Sequence, residues 1–373
     1  MIPQRILYVN GGIMNRGGIE SYMMSYYRNM DKNKLQIDFI VHGYEKGVYD
    51  DEIEAMGGRI FRVPVKSKDY FGNIRELKKI FHANDYKIIH SHMDAMSTVV
   101  LKIAKESNIP IRIAHSHNTQ HLTTNKLKFL LNEYARFTIT KYATHFFACS
   151  EPAGRWLFGD SYVDNNKVRY IRNAIPIEQY KFNSFTRKRI REKLQIKEDE
   201  IVIGHVGRFD YQKNHLYLLD IYKKLIEINP KYKLVLIGDG HLKNIITQRV
   251  KELGITDNVI LLGSRTDVNE LLNAFDVFIL PSLFEGLPIV LIEAQANGLN
   301  CIVSDRIARE VNISGKIKFL AINDHEINHW AKLILENTTL VKNRELIALP
   351  GYEIKSEANK LEKLYIKYLD EVE

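Results

Sequence analysis

Two glutamates eight positions apart, Glu285 and Glu293, frame the most chemically suggestive stretch of this 373-residue sequence. Pro281-Ser282-Leu283-Phe284-Glu285-Gly286-Leu287-Pro288 follows an apolar, strand-like run and opens a helical pattern that carries Glu293. Pro288 suits the first helical turn, where a missing N–H has no intrahelical task. The amides of Gly286 and Leu287 then point out of a helix N-terminus and can cradle a diphosphate. Glu293 lies ~7–8 Å further along that helix. One carboxylate can therefore address what hangs from the distal phosphate, and the other a ribose on the opposite side. The plainer alternative is an exposed loop Glu beside a helix-surface Glu. Against it, Glu293 sits within the apolar start Ile289–Ala296, where an unpaired carboxylate is costly.

Arg208 and Lys213 form a second set. Gly207-Arg208 ends a strand and Lys213 precedes a helix beginning near Asn214. Cations at the carboxyl edge of a parallel sheet lie where such sheets bind ligands. Arg clamps phosphate oxygens bidentately and Lys adds a point charge; a solvated basic loop is the alternative. Gly11-Gly12 and Gly17-Gly18-Ile19-Glu20 separate the first strand from the first helix, which allows close backbone approach to a ligand. The spacing is not G-x-G-x-x-G, and Val41-His42-Gly43 stands where a nicotinamide site has its acidic residue. Such a loop is also compatible with a tight turn alone. His115-Ser116-His117-Asn118 closes the strand Pro110–Ala114, and His90-Ser91-His92 ends the preceding one. Histidines at i, i+2 share a face, but no third ligand is adjacent in sequence, so no metal site is expected. A polar site residue at a strand end or a structural pair remain.

These residues need scaffolding that places strand ends together. In the first half, strands are expected at Arg5–Val9, Leu35–Val41, Arg59–Val63, Lys87–His90, Pro110–His115, His145–Cys149 and Val168–Ile171. Helical patterns fall at Ile19–Met30, Ile74–Phe81, Ala95–Glu106 and Asn125–Tyr142. The second half repeats the alternation, from Ile201–Val206 to Lys318–Ala321, with helices around Leu216–Ile228, Leu242–Leu253, Val268–Ala274, Pro288–Asn297 and Glu326–Glu336. Alternation of this kind builds parallel βαβ layers. The fold class is α/β, with two Rossmann-like domains: residues 1–173, residues 174–355, and a C-terminal amphipathic helix at 356–373 that packs back toward the first. Asn173-Ala174-Ile175-Pro176 marks the join.

Composition excludes other classes. Hydrophobic residues are 45% and charged residues 26%, as in ordinary globular proteins. No apolar run reaches the ~18–20 residues that span a bilayer, and the N-terminus has no signal-peptide pattern. Cys149 and Cys301 are far apart, which suits a reducing cytoplasm rather than a disulfide framework. Net charge is +8, and residues 1–173 hold 25 Lys+Arg against 17 Asp+Glu, so the whole excess lies in the first half. That half suits an anionic partner, though charge alone names none.

Taken together, Gly17-Gly18-Ile19-Glu20, His115-Ser116-His117-Asn118, Arg172-Asn173, Gly207-Arg208 with Lys213, Gly238-Asp239-Gly240 and above all Glu285-x₇-Glu293 resemble the family 4 glycosyltransferases of GT-B fold, more narrowly the bacterial capsule and exopolysaccharide enzymes. Ala174 stands where the family commonly has Gly, and Asn300 where it has Pro. The resemblance implies two domains facing each other across a cleft. It also implies retaining, metal-independent transfer of a sugar from a nucleotide-sugar, with a UDP-sugar favoured, to a saccharide acceptor that is lipid-linked. Arg208 and Lys213 would neutralise the leaving diphosphate, Glu285 contact the donor sugar, Glu293 the ribose, and Gly263-Ser264-Arg265 the base. His117 would face the reacting sugar. Gly17, Gly18, Gly238, Gly286 and Leu287 complete the expected binding set, with no separate cofactor and no nucleic-acid partner. A nucleotide-sugar epimerase or a non-catalytic nucleotide-binding protein on the same scaffold is the alternative.

The expected helix Asn125–Tyr142 interleaves Lys126, Lys128, Arg136 and Lys141 with Leu127, Phe129, Leu130, Leu131 and Phe137. Such a helix either covers its sheet or lies on an anionic membrane. The second reading makes the protein a peripheral one on the inner face of the cell membrane.

Overall fold

A computed structural model describes residues 3–123, 125–338, 344 and 347–372. The chain forms two compact units, Met1–Ala174 with Glu353–Glu373, and Ile175–Tyr352.

In the first unit the order is β1 (Gln4–Val9), α1 (Gly18–Asn29), β2 (Leu35–His42), α2 (Asp50–Ala55), β3 (Ile60–Val63), α3 (Tyr70–Ala83), β4 (Ile88–Ser91), α4 (Ser97–Glu106), β5 (Ile111–Ser116), α5 (Lys126–Thr138), β6 (His145–Ala148), α6 (Glu151–Phe158), α7 (Asp160–Asp164) and β7 (Val168–Tyr170). The seven strands are parallel and lie in the order β3-β2-β1-β4-β5-β6-β7. The chain runs one way from β1 to β3 and the other way from β4, so the crevice that such sheets use for ligands opens at the carboxyl ends of β1 and β4. β2 is buried along its whole length, which explains its near-continuous apolar sequence. Its one carboxylate, Asp38, accepts from Arg59, Tyr86 and Arg5.

The second unit holds α8 (Ile177–Tyr180), α9 (Ser184–Lys193), β8 (Ile201–Val206), α10 (His215–Ile228), β9 (Tyr232–Ile237), α11 (Lys243–Glu252), β10 (Val259–Leu261), α12 (Val268–Leu271), β11 (Val277–Leu280), α13 (Ile289–Ala296), β12 (Asn300–Ser304), β13 (Ile317–Leu320) and α14 (Ile327–Asn337). Its six parallel strands run β10-β9-β8-β11-β12-β13. Here the crevice lies at the ends of β8 and β11.

The C-terminal helix α15 (Ile354–Asp370) belongs to the first unit. Its buried face, Ile354, Ala358, Leu361, Tyr365, Tyr368 and Leu369, joins the core formed by Tyr22, Met23, Tyr26 and Tyr27 of α1. Glu373, the expected last residue of this helix, lies outside the described residues. Pro288 differs from expectation: it is the N-cap of α13 (φ −67°, ψ 116°), one residue before the first helical turn. Helices α2, α6 and α7 were not expected from periodicity. They run 6, 8 and 5 residues, too short to display a repeat.

Candidate functional site

The residues singled out in the second half gather at the β8/β11 crevice. Gly207 and Gly238 end β8 and β9, and the backbone draws these ends close. Gly238 has φ +148°, its N–H donates to the Gly263 carbonyl at 2.9 Å, and a Cβ there would overlap the carbonyl oxygen of Gly207. Only glycine fits this position. Asp210 then organises the turn that follows. It accepts from the Lys213 backbone N–H at 3.3 Å and from Arg208 Nε at 2.8 Å.

Lys213 closes the short 3-10 turn Tyr211–Lys213 and sends its ammonium across the crevice to Glu285, Nζ to Oε1 at 2.6 Å. Both side chains are largely buried, whereas Arg208 remains 61% exposed. Gln212 completes the stitching: its Nε2 donates to the Phe284 carbonyl at 3.0 Å and to Glu285 Oε2 at 3.3 Å. Gly286 and Leu287 lie buried immediately before Pro288. A cation pair and a helix start thus meet at one sheet edge, with the nearer carboxylate held by the nearer cation.

Glu293 is also partnered. It accepts a hydrogen bond from the Tyr180 hydroxyl at 2.9 Å, while crowding by its neighbours pushes its pKa up to about 7. Asn297, one turn on, donates to the Tyr180 carbonyl at 2.8 Å and so fixes that tyrosine against α13. Arg265 is held bidentately by Asp267 at 2.8 and 2.6 Å. This leaves the backbone turn at Gly263 (φ +65°) as the feature available to a flat ring.

At the first unit's crevice, Gly17 is the N-cap of α1 and Gly18 its first residue. Asn10 Nδ2 donates to Glu20 Oε1 at 3.0 Å, tying the glycine loop to the end of β1. Histidines from two neighbouring strand ends form a cluster. His90 Nε2 meets His115 Nδ1 at 3.0 Å, and His92 Nδ1 meets His117 Nε2 at 3.0 Å. The rings of His115 and His117 stack with centroids 4.1 Å apart. The missing third ligand of the sequence reading is therefore present in space: nitrogens of His90, His92 and His115 lie within 4.8 Å of one another.

Burial pushes all four imidazoles down, His117 to about 3, so they are neutral. They hydrogen-bond in pairs across the two strand ends. His117 stands nearest the strand end. Its backbone N–H donates to Asp94 Oδ1 at 2.6 Å, and Asn118 Nδ2 donates to Asp94 Oδ2 at 2.7 Å.

Helix α5 turns its apolar stripe outward. Leu127, Leu130, Leu131, Tyr134 and Phe137 follow the i, i+3, i+4, i+7, i+10 spacing of one face and are all exposed, Phe137 at 83%; among the helix's residues Ala135 is the buried one. Arg136 is not free to meet a surface. It is paired with Glu133 and donates to the Trp156 carbonyl.

Two family descriptions match the chain: "Glycosyltransferase Family 4" over residues 16–179 and "Glycosyl transferases group 1" over residues 186–347. A putative glycosyltransferase of Bacillus subtilis (strain 168), EpsF, is 35% identical over 371 residues, covering 97% of this chain and 96% of that protein. The chain belongs to the family 4 glycosyltransferases. A second relative of this glycosyltransferase is the Escherichia coli UDP-Gal:alpha-D-GlcNAc-diphosphoundecaprenol alpha-1,3-galactosyltransferase, 25% identical over 366 residues, with 94% and 93% of the two chains covered. The fold is GT-B. Anabaena HepE, solved in complex with UDP and glucose, superposes with a TM-score of 0.78 at 17% identity over 98% of this chain and 100% of that one.

Three residues of the glycosyltransferase escaped the sequence reading. Asp210 had a signal, because Asp three residues before Lys213 is N-cap spacing. Gln212 and Tyr180 had none, since their partners lie 73 and 113 positions away.

Proposed function

We propose that the enzyme transfers a sugar from a UDP-sugar to a lipid-linked saccharide with retention at the anomeric carbon. The observation that carries this reading is the Lys213–Glu285 pair at the β8/β11 crevice, with Arg208 and the α13 N-terminus beside it. Breaking the glycosyl–phosphate bond leaves its electron pair on the diphosphate and a developing positive charge on the sugar. Fixed cations and helix-end amides answer the first charge, which supports a reaction with no obligatory metal. Lys213 exchanges its Glu285 contact for diphosphate oxygens, freeing Glu285 for the donor sugar. Glu293 exchanges the Tyr180 hydroxyl for ribose hydroxyls. The acceptor hydroxyl bonds to the anomeric carbon from the face the diphosphate leaves, and its proton ends on the diphosphate. Neutral His117 hydrogen-bonds a sugar hydroxyl without adding charge.

The lipid-linked acceptor and peripheral membrane contact rest on α5, whose outward apolar stripe is flanked by the exposed Lys126, Lys128 and Lys141. No described helix is long and apolar enough to cross a membrane. A panel of UDP-sugars tests the donor, with UDP release measured in the presence and absence of EDTA and product configuration read by NMR. Release from none of them, EDTA-sensitive turnover, or an inverted product would each remove the corresponding part of the proposal.

A further inference from the structure

Part-buried cations on the strands of the first unit have acceptors: Arg5 and Arg59 share Asp38, Arg62 meets Asp50, and Arg112 donates to the carbonyls of Ile109, Pro110 and Tyr142. Lys66, four residues after Arg62, has no such oxygen partner among the described residues. It leaves β3 through Pro64-Val65 and is half-buried, and the polar atom its ammonium approaches is the Met96 sulfur at 4.0 Å. Among the described residues it makes no ion pair. A cation held out of water without a counter-charge is costly, and its pKa is pushed down to about 8 by burial.

Its position is also informative. Met96 belongs to the short 3-10 turn after β4, so Lys66 joins the loop after β3 to the turn after β4. In the strand order β3-β2-β1-β4 that path passes over the ends of β2 and β1 to the crevice between β1 and β4. The end of β2 carries a second unsatisfied group. His42 is 5% exposed and its Nδ1 is bonded to the Asn10 carbonyl at 2.8 Å, while Nε2 has no partner. A carbonyl accepts, so Nδ1 carries the proton and Nε2 offers a lone pair. The Lys66 charge is felt at this ring.

We infer that Lys66 and His42 form a glycosyl-phosphate subsite in the first unit, Lys66 taking a phosphate of the acceptor and His42 Nε2 accepting a hydroxyl proton from the sugar joined to it. The two groups complement the two ends of that ligand. Inorganic phosphate near neutral pH answers the ammonium and keeps an O–H, so it is the control against which the contribution of the sugar hydroxyl is measured. A neutral sugar answers the lone pair but not the charge. Lys66, with four rotatable side-chain bonds, is the member able to move onto the ligand. The inference rests on the reading of the protein as a transferase acting on a phosphate-linked acceptor, and it places that phosphate at the first sheet.

Full-length protein carrying ¹³Cε-lysine provides the test, with Lys66→Met and Lys213→Met assigning two resonances. Sodium phosphate and a panel of hexose 1-phosphates are the probes at Lys66, with sodium pyrophosphate as the probe at Lys213. Lys66 is expected to shift saturably with both of its probes, and at least one hexose 1-phosphate to bind roughly fivefold or more tighter than inorganic phosphate. His42→Phe should abolish that preference and keep the Lys66 response. A Lys213 shift with a silent Lys66 overturns the subsite and leaves the donor reading standing; the reverse keeps the subsite and removes the donor reading. Binding of phosphatidylglycerol vesicles separates the sources of phosphate. Unchanged vesicle binding in Lys66→Met supports the acceptor, and a loss there, with hexose 1-phosphates without effect on Lys66, assigns the charge to lipid headgroups and overturns the proposal.

Discussion

At the carboxyl edge of the second sheet, charged side chains hold one another: Lys213 with Glu285, Arg208 with Asp210, Arg265 with Asp267. At the same edge of the first sheet, four imidazoles stand neutral in hydrogen-bonded pairs, and Lys66 has no counter-charge among the described residues. The contrast separates two tasks. An edge that must receive a charge developing on a leaving group benefits from cations already oriented by carboxylates, because they need no rearrangement when the charge appears. An edge that must recognise hydroxyls benefits from neutral donors and acceptors, which impose no desolvated charge on a neutral sugar.

The largest effect should come from the paired edge. Lys213→Ala is expected to lower turnover by ~10²–10³, with the far-UV spectrum and melting curve showing a retained fold. Arg208→Ala should lower it less, since that guanidinium is mostly solvated. Wild-type turnover in both variants would end the contrast between the sheets.

Glu293 sharpens it further. Its folded-state pKa of about 7 is above the unfolded value, so between roughly pH 4.3 and 7 the folded protein holds the extra proton. Stability therefore falls as pH rises through that window, by roughly 3–4 kcal/mol at most. Glu293→Gln should remove that slope and raise the melting temperature more at pH 8 than at pH 5. The same variant should weaken UDP binding about tenfold, read by calorimetry, and wild-type UDP affinity should rise with pH through about 7. Glu285→Ala should leave UDP affinity nearly unchanged and lower turnover, and the opposite pattern would exchange the two roles.

In the neutral cluster, His115→Ala should cost ~1–3 kcal/mol of stability by stripping His90 Nε2 of its partner. His117→Ala is expected to lower turnover with a smaller change in melting temperature. Activity lost in the first variant with stability intact would move the sugar contact two residues back. The smallest effect concerns α5: each of Lys126, Lys128 and Lys141 changed to Gln should weaken anionic-vesicle binding about fivefold at low salt. Arg136→Gln should not, because it already serves Glu133.

Much of the scaffold was readable because parallel strands buried on both faces leave apolar runs of strand length, as in Val277–Leu280 and Cys301–Ser304. Glu285 and the two cations were readable because each sits where a strand gives way to a helix, and Glu293 because it is a carboxylate within an apolar helix. What periodicity does not encode is which strand ends become neighbours. His90-Ser91-His92 and His115-Ser116-His117 are 25 residues apart, and register alone, with His90 beside Ile113, brings their rings together. Tyr180 illustrates the same limit. Nothing local marks its hydroxyl as the partner of a carboxylate, and its role follows from α8 lying against α13.

The Tyr365 hydroxyl sits 2.8 Å from that of Tyr8 and 2.6 Å from His90 Nδ1, at the heart of the first unit. Tyr8 belongs to the first strand and Tyr365 to the last helix, so the interior of one unit is sealed by a segment synthesised after the whole of the other. During translation Ile175–Tyr352 is available as a contiguous piece, whereas the first sheet waits, with Tyr22, Tyr26 and Leu35 lacking their cover, until α15 has been made. Closing a chain over that separation is entropically slow. The nascent first unit is consequently the stage most exposed to aggregation and to holdase chaperones, and a premature stop ahead of α15 would damage the half of the protein that was translated first.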